Sequence, residues 1–130
     1  MTATTFFSKT YNEAMDLLVE ARDYLAHREP IDRQALMPLQ RLHFCCETMR
    51  LTARLTQMMA WLLAQRAVFA GEISQQDALA EHGALAEVEI CMGSEAEAAM
   101  PQRLASLLDR SRRLYLRVAR LDEMARRQIA

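Results

Sequence analysis

The sequence PLQRLHFCCETMRLTARLTQMMAWLLAQRAVFAG, residues 38–71, decides the fold because it predicts one unusually long helix. Pro38 suits the first turn of a helix, where a missing N–H costs nothing. Gly71 is placed to end the helix in a left-handed cap. A helix over residues 38–70 would be about 50 Å long at about 1.5 Å per residue, which makes it the central element of the chain.

Two apolar stripes follow this helix on nearly opposite sides, because residues two apart lie about 200° apart around a helix. The first stripe has small residues in its middle and consists of Leu42, Cys46, Met49, Ala53, Thr56, Ala60, Leu63 and Ala67. The second stripe is bulkier and consists of Phe44, Leu51, Leu55, Met58, Leu62 and Phe69. A helix that is apolar on two sides needs cover on both. We therefore predict a two-fold homodimer, with its interface at Leu51, Leu55, Met58 and Leu62.

Helices flank the long one on both sides. Apolar residues at spacings of three and four predict a first helix over residues 5–27, with a break at 27–30 because Pro30 disfavours helix at the residue before it. Pro101 opens a last helix to about residue 127, and Ser74 is a suitable N-cap for a short one. Residues 84–92 could form another short helix, and 93–99 an acidic loop. The predicted fold is all-α, a single domain over residues 1–130. It is an antiparallel three-helix bundle with a short extra helix in the 72–100 connection.

Composition supports a cytoplasmic globular domain. The 130 residues are 52% apolar with three glycines and three prolines, which suits packed helices rather than strands. The longest uncharged stretch, residues 55–65, is too short to cross a membrane. Three cysteines without a signal peptide fit a reducing compartment. A net charge of −1 argues against general attraction to nucleic acid or anionic membrane.

Charge is nevertheless uneven along the chain. Residues 72–97 carry seven acidic side chains and no Lys or Arg, whereas residues 103–127 carry eight Arg against three acidic residues. These segments could pair internally or form a partner surface. Arg110, Arg113, Arg117 and Arg120 share one helix face that would suit phosphates, so a small DNA-binding protein is the alternative function.

A third face of the long helix combines Glu47, Arg50, Arg54, Gln57 and Trp61. Trp beside Arg is typical of a binding hot spot. The alternative is that Trp61 packs at the bundle edge while both arginines pair with neighbouring helices, and the sequence leaves the two interpretations equal.

No spacing predicts a catalytic or cofactor site. His43, Cys45 and Cys46 are the best metal candidates, but only one pair among them has the spacing to share a helix face. Cys91 or His82 would have to complete such a site. We therefore expect no enzyme activity, no metal and no cofactor.

Two helix signatures suggest a family. ETMRLTARLT at 47–56 with WLLAQRAV at 61–68, and SRRLYLRVARLD at 111–122, resemble the long and last helices of the RcdA family, the regulators of CtrA degradation. The resemblance covers about residues 6–122 with the same helix order. The positions that match are Glu47, Arg50, Arg54, Trp61, Arg66, Arg113, Tyr115, Arg117 and Arg120.

The resemblance implies a dimeric three-helix bundle that acts without chemistry as an adaptor in ClpXP proteolysis of cell-cycle regulators. It also implies partners: ClpX or a primed ClpXP complex reached through a response-regulator adaptor, a cyclic-di-GMP effector, and transcription-factor cargo. We predict partner contacts at Arg50, Arg54, Trp61, Arg113, Arg117 and Arg120. Whether these residues are contacts or bundle struts stays open at this point.

Overall fold

The computed structural model describes residues 2–88 and 100–129, and nearly all of them are helical. The α-helices are α1 (Thr2–Asp23), α2 (Glu29–Gln34), α3 (Pro38–Phe69), α4 (Gln75–Glu81) and α5 (Gln102–Ile129). A π-helical turn, Tyr24–Arg28, joins α1 to α2, and a 3₁₀ turn covers Leu85–Glu87. The predicted all-α class is confirmed for this part of the chain. The predicted acidic loop 93–99 lies outside the described residues, and so do residues 89–92 of the predicted short helix 84–92.

The long helix α3 ends as its sequence predicts. Gly71 has a φ of 78°, and its N–H donates to the Val68 carbonyl at 3.0 Å. The N–H of Glu72 reaches back to the Ala67 carbonyl at 2.9 Å. This pair of bonds is a Schellman cap, which requires the left-handed conformation that glycine adopts without strain.

The predicted break at residues 27–30 is wrong. The chain stays helical there because a π turn absorbs the irregularity, and the N–H of Glu29 donates to the Tyr24 carbonyl five residues back. Pro30 then lies in the first turn of α2, the part of a helix in which a proline is tolerated. The first helical arm therefore extends to Gln34.

Three long helices, α1, α3 and α5, contact one another pairwise. The start of α1 meets the end of α3 through a ring contact, so these helices run antiparallel. Glu13 pairs with Arg117 and Glu20 with Arg110, so α1 and α5 also run antiparallel.

The antiparallel prediction is wrong for the remaining pair, α3 and α5. Arg54 contacts Leu108, and Trp61, further along α3, contacts Asp122, further along α5. These two helices therefore run parallel. The reason is the connection of residues 70–101, which is long enough to return the chain to the level where α3 begins.

The core lies between the three long helices. Buried apolar residues of α1 and the π turn are Ala14, Leu17, Ala21 and Tyr24. Those of α3 are Phe44, Leu51, Leu55, Met58, Met59, Trp61 and Leu62. Those of the 3₁₀ turn and α5 are Leu85, Leu104, Leu107, Leu108, Leu114, Tyr115, Val118 and Ala119. Within the described residues, no helix is long and apolar enough to cross a membrane.

The predicted dimer-interface residues lie in this core, so their assignment to a contact with a second chain is wrong. Leu51, Met58 and Leu62 are 0% exposed and Leu55 is 3% exposed within a single chain. The bulkier stripe turns inward because it buries more apolar area than a stripe interrupted by alanines. The first stripe, with its small residues, is the one that α3 leaves facing outward, and Met49 in it is 65% exposed.

Candidate partner-binding surfaces

Trp61 connects α3 to α5, and its side chain is only 3% exposed. Its indole Nε1 donates to Asp122 Oδ1 at 2.8 Å. The other carboxylate oxygen of Asp122 accepts from the backbone N–H of Leu85 at 3.1 Å, and Arg126 Nε donates to both oxygens. The buried carboxylate of Asp122 therefore fastens α3, α5 and the 3₁₀ turn together, which leaves Trp61 unavailable to a partner.

Arg54 also has a structural role, because its side chain is 0% exposed. Its Nη1 donates to the Leu108 carbonyl at 2.9 Å and to Ser111 Oγ at 3.0 Å. The guanidinium thus bonds directly to the backbone of α5. The predicted partner-contact role of Arg54 is wrong for this reason.

Arg50 retains partial exposure and pairs with Glu47 one turn earlier on the same helix. Glu47 is 3% exposed, so the carboxylate is buried under its arginine partner. Of the residues predicted to contact partners on this face of α3, only Arg50 remains within reach of another molecule.

Charged side chains line a groove of about 610 Å³ between α1 and α5. Arg110 pairs with Glu20, and Arg117 pairs with Glu13 at 2.8 Å. Arg113 pairs with Asp109 on its own helix. With Arg126, which pairs with Asp122, the described arginines of the basic helix form two salt bridges to α1 and two within the helix itself. Among the described residues of the acidic segment 72–97, none forms a salt bridge, and Glu89, Glu95 and Glu97 lie outside the described part of the chain.

The predicted contact residues of α5 therefore have different environments. Arg117 is committed to Glu13, whereas the Arg113 side chain is 70% exposed beside Asp109. Arg120 is exposed at the edge of the groove. The structure brings these three together on one surface and places Arg54 and Trp61 elsewhere, in the interior.

The pair between Glu20 and Arg110 predicts a pH dependence of stability. The hydrogen bond from Arg110 holds the pKa of Glu20 below its ordinary value of 4.5. A lowered folded-state pKa adds stability above about pH 4.5, and this contribution is lost as the pH falls through the lowered value. Both side chains are partly exposed, so the contribution is at most about 1 kcal/mol.

We expect Glu20→Gln to lower the free energy of unfolding by up to about 1 kcal/mol at pH 7 and to have little effect near pH 3. Urea denaturation of both proteins at the two pH values measures this difference. Glu123→Gln, at an exposed position of α5, is the control. A difference that is equal at both pH values would contradict the assignment.

Tyr24 joins the π turn to two neighbouring elements. Its hydroxyl donates to Asp32 Oδ2 at 2.8 Å, and the guanidinium of Arg103 lies 5.6 Å from its ring centroid. Burial and then the bond to Asp32 raise the pKa of the Tyr24 phenol above its ordinary value of 10.0, so the phenol keeps the proton that it donates to Asp32. The arrangement anchors the start of α5 against the end of α1.

An aromatic pocket that sequence reasoning missed lies where the start of α1 meets the end of α3. Its volume is about 420 Å³, and it is lined by Phe7, Ser8, Tyr11, Asn12, Arg66, Phe69 and Ala70. Sequence periodicity assigns Phe7, Tyr11 and Phe69 to core stripes. The signal that distinguishes them is their position near helix ends, where a bundle no longer covers its own core.

The candidate metal ligands do not converge. Across residues 2–88 and 100–129, no group of three or more His, Cys, Asp or Glu side chains is placed to hold a metal ion. Cys46 is exposed on α3 and Cys45 is half-buried, while Cys91 lies outside these ranges.

These helices and surfaces define an all-helical protein with exposed apolar and charged faces on a braced scaffold. A family model described as "Protein of unknown function (DUF1465)" matches residues 1–130, so the chain belongs to this family. The crystal structure of RcdA from Caulobacter crescentus CB15 is similar, with 38% sequence identity and a TM-score of 0.72. The similarity covers 92% of this chain and 89% of that one. The family is therefore RcdA-like, as the helix signatures predict. No curated protein matches the chain.

Proposed function

We propose that this protein is a homodimeric, non-enzymatic adaptor of the cytoplasm that presents regulatory proteins to the ClpXP protease. The observation that carries an interaction role is a set of large, exposed apolar side chains on the outward face of α3. Leu42 is 60% exposed, Met49 65% and Leu63 49%, with half-buried alanines between them. Exposed apolar patches mark protein-interaction sites in soluble proteins.

The exposed stripe has the spacing of a helix–helix seam. Leu42, Met49, Thr56 and Leu63 recur every seven residues. Alternating with them at the same interval are Cys46, Ala53, Ala60 and Ala67. A seven-residue apolar repeat suits packing against another helix, and alanines let the two backbones approach closely. A second copy of the chain would supply the same stripe across a two-fold axis.

Similarity to RcdA supports the protease part of the proposal. The partners that follow are ClpX or a primed ClpXP complex reached through a response-regulator adaptor, a cyclic-di-GMP effector, and transcription factors as cargo. An adaptor raises the local concentration of cargo at the protease, so it needs surfaces rather than reacting groups or a cofactor. Of the residues predicted to contact partners, Arg113 and Arg120 are the two exposed cations, so they are our candidates for such contacts.

Affinity capture from a lysate of the source organism tests the proposal. We expect the tagged protein to recover ClpX or a response regulator together with a transcription factor, identified by mass spectrometry. The double variant Arg113→Glu and Arg120→Glu should lose one of these partners while keeping the helical circular dichroism of the parent. Recovery of nucleoid proteins and DNA in place of ClpX would contradict the proposal.

DNA binding by the arginine-rich helix is the competing function, and the ion pairs of α5 disfavour it. Arg110, Arg113 and Arg117 pair with Glu20, Asp109 and Glu13, so three of the four cations on that face already have a carboxylate partner. We expect no retardation of a 30-base-pair duplex (about three helical turns) in a gel-shift assay at about 50 mM salt. A shift that weakens steeply with added salt would instead support the nucleic-acid function.

A further inference from the structure

The aromatic pocket between α1 and α3 contains one cationic side chain, that of Arg66. The guanidinium of Arg66 lies 5.6 Å from the ring centroid of Tyr11, and its Nη1 donates to the Tyr11 hydroxyl at 3.1 Å. Two contacts to one side chain restrict where the charge can lie. Within residues 2–88 and 100–129, Arg66 has no salt-bridge partner, so its charge faces the pocket uncompensated.

The apolar part of the pocket is formed by aromatic rings. Phe7 and Phe69 meet edge to face with centroids 5.0 Å apart, and Phe7 lies 6.1 Å from the ring of Tyr11. Phe69 is 51% exposed, so its ring is accessible from the pocket. Ser8 and Asn12 supply hydrogen-bonding groups to the same lining.

We infer that this pocket binds an extended peptide segment of another protein in which an aromatic side chain stands next to a carboxylate. The aromatic side chain would lie against Phe7 and Phe69, where ring pairs prefer edge-to-face contact. The carboxylate would accept from the free N–H groups of Arg66, a charge-assisted bond. The Tyr11 hydroxyl accepts from Arg66, and its own proton has no acceptor among the described residues, so it would donate to the same carboxylate.

The size and charge of the pocket favour a peptide over single-stranded nucleic acid. About 420 Å³ accommodates one large side chain and a carboxylate. A nucleic-acid strand combines stacking with a basic track along its backbone, whereas Arg66 is the only cation among the residues that line this pocket. The inference goes beyond the adaptor role, because it gives the chemistry of a bound segment and depends on neither the dimer nor the protease.

Titration of the isotope-labelled protein with short peptides, followed by NMR, tests the inference. The probe is acetyl-Gly-Phe-Asp-Gly-amide, and the matched probes replace its Asp with Asn or its Phe with Ala. We expect amide shifts confined to the neighbourhood of Tyr11, Arg66 and Phe69. Each matched probe should bind about tenfold more weakly, since loss of one charge-assisted bond or one ring contact amounts to about 1.4 kcal/mol. Equal binding of all three peptides, no shift at the highest peptide concentration, or tighter binding of octathymidylate would overturn the inference.

Variants of the protein separate a binding role from a structural one. Arg66→Gln should weaken the Asp probe about tenfold without weakening the Asn probe. Tyr11→Phe keeps the ring and should have a smaller effect of the same kind. Arg103→Gln is the matched control, because Arg103 also lies over a tyrosine, Tyr24, at 5.6 Å but outside the pocket. Unchanged affinity of folded Arg66→Gln for the Asp probe would overturn the inference even if capture from lysate succeeds.

Discussion

Asp122→Ala should lower the free energy of unfolding by about 3–5 kcal/mol, the cost of removing one partner of a buried ionic hydrogen-bond cluster. The carboxylate of Asp122 is 0% exposed. It accepts from Trp61 Nε1 at 2.8 Å, from Leu85 N at 3.1 Å and from Arg126 Nε at 3.0 Å. Truncation leaves Trp61 Nε1 and the Leu85 N–H without their acceptor in the interior, and an unpaired buried donor costs far more than an ordinary hydrogen bond contributes.

Urea denaturation followed by tryptophan fluorescence measures this loss, because Trp61 is the single tryptophan and lies in the cluster itself. Asp109→Ala is the matched control, since it removes an exposed aspartate that pairs with Arg113 on the same helix. That control should cost less than about 1 kcal/mol. Protein concentration is held constant, because a dimer makes apparent stability depend on it. Equal, small losses in the two variants would contradict the role given to Asp122.

Leu55→Asp should unfold the chain or come close to it, with a loss of more than about 4 kcal/mol. Leu55 is 3% exposed between the long helices, so a carboxylate at this position would lose its hydration on folding. Circular dichroism and thermal denaturation measure this effect. The same substitution at a residue of an oligomer surface would leave the single chain folded.

Met49→Asp provides that comparison on the exposed stripe of α3. Met49 is 65% exposed, so its substitution should change the stability of the single chain by less than about 0.5 kcal/mol. It should nevertheless convert a dimer to a monomer, since a charge on both copies of a two-fold interface must be desolvated twice. Light scattering decides the matter. A monomeric parent protein, or a dimeric Met49→Asp variant, would refute the proposed interface.

Local signals in the sequence are sufficient to predict both ends of α3 and the start of α4. Gly71 and Pro38 bound α3 as predicted, and Ser74 Oγ caps α4 by accepting from the N–H of Asp77 at 3.1 Å. Each of these depends on residues within one or two turns. The predicted break at Pro30 is wrong because a π turn, which depends on tertiary packing around Tyr24, has no comparable local signal.

Which side of α3 faces inward could not be predicted from periodicity. Both stripes repeat at helical spacing, and which of them is buried depends on how well its side chains fill the space between α3 and its neighbours α1 and α5. The same limit explains Arg54 and Trp61, whose residue types suit both a binding hot spot and a buried strut. Their partners lie more than fifty positions away in the sequence, at Leu108 and Asp122.

Helix direction and charge pairing also depend on the distant connection. Because residues 70–101 return the chain before α5 begins, α5 lies parallel to α3 and antiparallel to α1. Its arginines therefore meet Glu13 and Glu20 of the first helix. The sequence left open whether the basic helix pairs within the chain, and the tertiary arrangement shows that Glu13 and Glu20 of α1 pair with two of its arginines.

The central claim is that the protein tethers cargo to a protease without performing chemistry. The most direct test is the rate at which purified ClpXP, with its response-regulator adaptor, degrades a transcription factor captured from lysate, measured against increasing concentrations of this protein. A tether predicts acceleration at stoichiometric amounts and then inhibition at excess, because separate copies occupy protease and cargo. A rate that does not change, or that saturates at far below one copy per cargo molecule, would contradict the account.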